Sequence, residues 1–131
     1  MEKKLICLDT SVLIDYFRKK NKANSFFYKL SNDYDLFAVS TITEYEIYFG
    51  SNVDQDLYWD DFFSKIISLP YNSQANRVAI SVDRELRKKK MQLDIPDLMI
   101  AGTAIANHLE LATLNPKHFE RIANLKIITP K

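Results

Sequence analysis

The stretch Lys4-Leu5-Ile6-Cys7-Leu8-Asp9-Thr10-Ser11-Val12-Leu13-Ile14-Asp15-Tyr16-Phe17 decides the fold class of this chain. Its first part is a short apolar run of the kind that forms a strand buried on both faces, and its second part has helical spacing of apolar residues. Asp9 stands between the two, at the C-terminal end of the strand. Open parallel α/β sheets place ligands in the crevice beyond the carboxyl ends of their strands. Asp9 is therefore either a ligand-binding acid or the N-cap of the helix that follows, for which Asp-Thr-Ser is suitable chemistry.

Outward from this stretch, apolar runs alternate with amphipathic segments to the end of the chain, the pattern of a parallel sheet covered by helices on both faces. Strands are expected at Lys4 to Leu8, Leu36 to Ser40, Ile66 to Leu69, Leu111 to Thr113 and Lys126 to Ile128. Helices are expected at Ser11 to Arg18, Ala23 to Leu30, Ile42 to Phe49, Gln55 to Ser64, Ser73 to Lys90, Pro96 to Asn107 and Lys117 to Ala123, the last introduced by Pro116. With 131 residues, of which 47% are hydrophobic, the chain can bury a real core and is too short for two, so residues 1–131 are expected to form one domain. The longest apolar stretch, Leu98 to Ala106, falls short of the roughly 20 residues that span a bilayer, and the N-terminus lacks a secretory apolar region. A lone cysteine, Cys7, inside the first strand reads as a buried structural thiol, and a reducing, cytoplasmic setting is expected.

A net charge of +1 gives the chain no overall electrostatic pull on nucleic acid. Its cations are clustered, however, at Arg18-Lys19-Lys20 with Lys22, and at Arg84 and Arg87 to Lys90. Both clusters lie near helix C-termini, where the dipole favours cations; holding a phosphate backbone is the second reading. The acids Asp54, Asp56, Asp60 and Asp61 read as a solvated helix face. The aromatics between them, Tyr58, Trp59, Phe62 and Phe63, together with Tyr16, Phe17, Phe26, Phe27 and Tyr28, are candidates for protein–protein contacts. His108 and His118 lack zinc-site spacing and read as surface or helix-end residues.

Two further acids are candidates to join Asp9. At about 100° per residue, Ile42, Tyr45 and Phe49 share a helix face with Glu46 at its edge, while Glu44 points nearly the opposite way. Glu46 is thus the acid expected against the fold. Asp97 projects on the side of Ile100, Ala101 and Ala104, whose small alanines would let that helix approach the sheet closely. Singly, Asp97 also suits the first turn of a helix through the dipole, and Glu46 reads as a boundary residue. Together the three carboxylates would repel unless a cation neutralised them. A hard ion such as Mg²⁺ or Mn²⁺, with oxygen ligands and open positions for a phosphate oxygen, fits that need, and phosphodiester hydrolysis is the natural reaction.

Leu8-Asp9-Thr10-Ser11-Val12-Leu13-Ile14-Asp15, then Val39 to Thr43 leading to Glu46 and Gly50, then Asp97 to Ala101, then Thr113-Leu114-Asn115-Pro116-Lys117-His118-Phe119 together resemble the PIN-domain ribonucleases. More narrowly, the chain is similar to the VapC-type toxins of toxin–antitoxin pairs. The resemblance implies a three-layer α/β/α sandwich with a mainly parallel five-stranded sheet, a Mg²⁺- or Mn²⁺-dependent endoribonuclease acting on RNA, inhibition by a cognate antitoxin, and a homodimer. Carried across by position, the metal-binding and catalytic acids fall on Asp9, Glu46 and Asp97, with Thr10, Ser11, Thr113 and Asn115 in support. The fourth motif departs from its acidic version: Asn115 and His118 stand where relatives place aspartates. Two other readings remain open, a non-catalytic α/β interaction module and a housekeeping RNA-processing nuclease of the same fold.

Overall fold

The computed structural model describes residues 4–130. Five strands, β1 Leu5–Leu8, β2 Leu36–Ser40, β3 Ile67–Leu69, β4 Leu111–Ala112 and β5 Ile127–Ile128, lie in the order β3-β2-β1-β4-β5. All four neighbouring pairs run parallel. The helices are α1 Thr10–Arg18, α2 Phe26–Leu30, α3 Thr41–Gly50, α4 Val53–Ser64, α5 Ser73–Lys88, α6 Ile95–Ala106 and α7 Pro116–Phe119.

Period-2 alternation in the strands splits the core in two. Ile6 and Leu8 of β1 and Ala112 of β4 face one layer, with Val12, Leu13, Leu30, Ile47 and Trp59. Cys7 of β1 and Leu111 of β4 face the other, with Leu86, Ile100, Ala104 and Phe119. A sheet apolar on both sides needs helices on both sides, and the result is the three-layer α/β/α sandwich that the sequence predicts. Cys7 is fully buried, and burial pushes its thiol up to about 12, which fits an inert structural role.

The chain leaves β1 towards β2 on one side and returns to β4 on the other. The ends of β1 and β4 thus form a topological switch point, where such sheets open a crevice.

Three expectations need correction. The Ala23 to Leu30 segment is not one helix: a 3-10 turn over Lys22–Asn24 ends at Ser25, whose hydroxyl oxygen accepts from the Tyr28 N–H (3.2 Å) and caps α2. The last helix stops at Phe119 rather than Ala123. Phe119, Ile122 and Leu125 are all buried, and three-residue steps between them are met by turns in which Ile122 N–H donates to Phe119 C=O and Leu125 N–H to Ile122 C=O. The aromatics proposed for partner contacts are largely core. Trp59 is 2% exposed and packs with Phe17, Tyr58, Phe62 and Phe63, and of that group Tyr28 is the one that stands well exposed. The other large apolar side chains left on the surface include Tyr45, Phe49, Val53 and Leu57.

Glycine decides one helix contact. A Cβ on Gly102 of α6 would stand 2.7 Å from Ala75 O and 2.8 Å from Ala79 Cβ of α5. The small residues of α6 therefore admit α5 as well as the sheet.

Gly102→Ala is expected to lower stability by about 1–3 kcal/mol through overpacking, measured by urea denaturation. Trp59→Ala, which empties a core site, is expected to cost about 3–5 kcal/mol.

Candidate functional site

Asp9 occupies the N-cap position of α1, but its side chain makes no capping bond. Its carboxylate is 4% exposed and turns inward, where Oδ2 accepts from the Ser11 hydroxyl (2.7 Å) and the fully buried Thr113 hydroxyl (2.8 Å). Both hydroxyls are oriented from behind: Leu114 N–H donates to Ser11 Oγ (3.1 Å) and Asn115 N–H to Thr113 Oγ1 (2.9 Å). A helix cap would have used local N–H groups. Its partners are instead two hydroxyls, Ser11 of α1 and Thr113 just beyond β4, so the carboxylate joins the two strands at the switch point.

Glu46 reaches the same crevice from α3. The Thr10 hydroxyl donates to its Oε1 (2.7 Å) and lies 3.0 Å from the Thr43 hydroxyl. The face from which Glu46 was read is not the buried one. Thr43 and Ile47 are the buried residues of α3, while Tyr45 and Phe49 stack on each other in solvent. At about 100° per residue, Glu46 and Glu44 flank the Thr43–Ile47 stripe on opposite sides. Glu44 is not purely solvated, since its Oε2 accepts from Ser68 on β3.

Asp97 lies in the first turn of α6, and its Oδ2 sits 3.0 Å from His118 Nδ1. This partner went unrecognised in the sequence. His118 is a half-exposed residue of the short α7, as its helix-end reading says, yet packing of α7 beside α6 delivers its ring to the acid. No local spacing signals that contact. His108, by contrast, is simply the residue that turns the chain after α6, with φ 58°.

Asp97 feels the charge of the other two acids. Burial pushes the Asp97 carboxyl up to about 6; His118 pulls it down, and Asp9, Glu46 and Asp94 add to the rise. Hydrogen bonds hold one oxygen each of Asp9 and Glu46, the His118 ion-pair contact holds one of Asp97, and Asp9 Oδ1, Glu46 Oε2 and Asp97 Oδ1 are left without a partner among the described residues. These are hard oxygen donors of the kind that Mg²⁺ or Mn²⁺ takes. As they lie, however, no three His, Cys, Asp or Glu side chains among the described residues are grouped closely enough to hold an ion. The donor chemistry fits a divalent cation, while the side chains rest on protein partners.

Two cavities open on either side of α1. One of about 320 Å³ includes Arg18, Glu46 and Gln55, and one of about 490 Å³ includes Ser11, Arg18 and Asn115. Arg18 lines both and has no ion-pair partner among the described residues. Two of its neighbours in the basic cluster are engaged: Lys19 pairs with Asp15 (3.6 Å), and Lys22 donates to the Tyr16 and Phe17 carbonyls at the end of α1.

The model of the PIN domain matches residues 6–125, nearly the whole chain. The chain belongs to the PIN-domain family. Ribonuclease VapC1 of Methanocaldococcus jannaschii is 34% identical over 122 residues, covering 92% of this chain and 83% of the relative, and places it with the VapC-type members. A DNA-bound VapBC from Salmonella typhimurium superposes with a TM-score of 0.82 at 28% identity, over 98% of both chains. A toxin–antitoxin complex from Klebsiella pneumoniae gives 0.78 at 26%, over 96% of this chain and 98% of that one. Among the described residues of this PIN-domain chain, no helix is long and apolar enough to cross a membrane.

The raised Asp97 carboxyl has a signed consequence for the metal-free protein. An acid whose folded pKa lies above its unfolded value destabilises the fold once ionised. Stability is therefore lost as pH rises from about 4 to about 6 and stays lost above. Asp97→Asn, with the metal removed, is expected to melt about 3–6 °C above the unsubstituted protein at pH 7.5 and to show little advantage at pH 4, by differential scanning calorimetry.

Proposed function

We propose that this PIN-domain chain is a divalent-cation-dependent endoribonuclease, that it acts as the toxin of a toxin–antitoxin pair, and that residues 1–131 form one domain. The observation that carries the reading is the shared posture of the three acids. Asp9 at the N-cap of α1, Glu46 on α3 and Asp97 in the first turn of α6 are each held through one oxygen and free at the other, and the charges of Asp9 and Glu46 bear on Asp97. A purely structural acid has no need of that arrangement.

Asp9, Glu46 and Asp97 would hold Mg²⁺ or Mn²⁺. Such an ion supplies Lewis-acid polarisation of the scissile phosphodiester and activation of water at neutral pH. The remaining work belongs to the chain. Ser11 and Thr113 fix the Asp9 carboxylate, and Thr10 fixes Glu46. Thr113 and Leu8 are sealed in the core, which keeps the Asp9 pivot rigid. Asn115 is exposed beside Ser11 at the mouth of one cavity, where an amide can hydrogen-bond RNA or water without adding negative charge. Arg18, free between both cavities, would take a backbone phosphate through its planar guanidinium and orient the strand across the acids.

An antitoxin is the protein partner of this reading, supported by the likeness to the Klebsiella toxin–antitoxin complex, and a homodimer goes with it.

RNA cleavage in Mg²⁺ or Mn²⁺ is expected to stop in excess EDTA and to fall at least about a hundredfold in Asp9→Asn, with the far-UV spectrum unchanged. Full activity in EDTA would refute the proposal. With Mg²⁺ present and a non-hydrolysable RNA analogue as ligand, Arg18→Gln is expected to lower the slope of log affinity against log salt by about 0.7–1 for single-stranded RNA. An unchanged slope would remove Arg18 from the RNA path.

A further inference from the structure

We infer that His118 is the positioning residue of Asp97, the counterpart of the hydroxyls that hold Asp9 and Glu46; the inference rests on the metal reading proposed above. Asp97 is the third residue of α6, from which a side chain can reach back to the N-cap N–H to form a capping box. No such bond is made. The Asp94 side chain at the N-cap is also unbonded to the helix, so local helix chemistry does not fix the Asp97 carboxylate. The polar group that meets it among the described residues is on another element: His118 Nδ1, at an ion-pair distance of 3.0 Å from Oδ2.

The imidazole is well placed to fix something. Its backbone N–H donates to Asn115 C=O (3.0 Å), Pro116 starts the turn, and the adjacent Phe119 is fully buried, so the ring stands on an anchored base although it is itself half-exposed. The pattern matches its neighbours. Asp9 is held at Oδ2 by Ser11 and Thr113, Glu46 at Oε1 by Thr10, and Asp97 at Oδ2 by His118, and each contact leaves the second oxygen free. An aspartate at 118 would set a fourth like charge against Asp97; an imidazole sets a ring nitrogen at ion-pair distance there instead. Donors behind a ligating carboxylate commonly carry a tenfold to hundredfold effect on metal affinity.

The test titrates Mn²⁺ alone into the metal-free full chain and reads free Mn²⁺ by electron paramagnetic resonance. His118→Ala is expected to weaken binding by roughly tenfold or more, while His118→Asn, whose amide N–H can occupy the place of Nδ1, recovers most of that loss. Far-UV spectra and melting temperatures show whether each variant is folded. Pulsed resonance on the Mn²⁺-loaded protein is expected to show no imidazole nitrogen coupled to the ion. Wild-type affinity in His118→Ala, failure of His118→Asn to recover it, or a nitrogen coupling that vanishes in His118→Ala would each overturn the positioning role. Failure of the underlying metal reading looks different: Mn²⁺ then does not bind the unsubstituted chain, or Asp9→Asn binds it equally well.

Discussion

A carboxylate nearly sealed from water is the constraint on which the rest of this molecule depends. Removing a charge from water costs several kcal/mol even after relaxation, and hydrogen bonds to a charged group return roughly 1.5–3 kcal/mol each. Asp9 receives two, from Ser11 at the start of α1 and Thr113 at the end of β4. To have both, the chain must bring two segments 104 residues apart into register across the sheet. The parallel pairing of β1 with β4, Cys7 opposite Leu111 and Leu8 opposite Ala112, does this. The same pairing lets the Asp9 N–H bond Ala112 C=O (2.9 Å). The position of the acid and the topology of the sheet are thus one fact: move β4 elsewhere in the order, and Asp9 would be left buried without its Thr113 partner.

Two hydrogen bonds do not remove the repulsion among acids. With Asp9 and Glu46 nearby, and Asp94 at the start of the same helix, ionising Asp97 works against both burial and like charge, and His118 offsets only part of this. The crevice is therefore an unfavourable part of an otherwise well-satisfied fold: no buried side-chain polar atom among the described residues lacks a partner. Strain confined to one crevice, while the rest of the structure is consistent, is the usual mark of a site shaped for binding rather than for stability.

Much of this was legible in the sequence because it rests on local pattern. β2 falls on the expected residues Leu36–Ser40, and the other strands within one residue at an end, since short apolar runs bounded by turns leave few alternatives. Asp9 was legible because a strand end followed by a helix start is itself a sequence signal. What escaped depended on packing. On α3 the apolar Tyr45 and Phe49 suggested the buried face, but Thr43, which meets Thr10, and Ile47 decide it. Trp59 and its neighbours looked too aromatic for a small core, yet the rings nest edge to face across α1 and α4 and hide most of their own area. The His118 contact has no local signature at all, because α6 and α7 must first dock before it exists. The break at Ser25 was there to be seen, since serine before Phe26 is sound capping chemistry, but the apolar periodicity runs across it.

Charge explains why a nearly neutral chain can serve the function proposed for it. Several lysines and arginines are already paired along their own helices, Lys19 with Asp15, Lys65 with Asp61, Arg87 with Asp83 and Lys88 with Glu85. Such intrahelical pairs leave little field to draw a polyanion. Without an ion, the crevice presents three carboxylates to any approaching phosphate, and repulsion at that range outweighs the pull of Arg18 beside it. A divalent cation on Asp9, Glu46 and Asp97 adds two positive charges to a chain whose formal net charge is +1, and adds them where the acids had been repulsive. On this reading Asp9, Glu46 and Asp97, once neutralised by a cation, would admit a phosphodiester to the crevice, and Arg18 would set its direction.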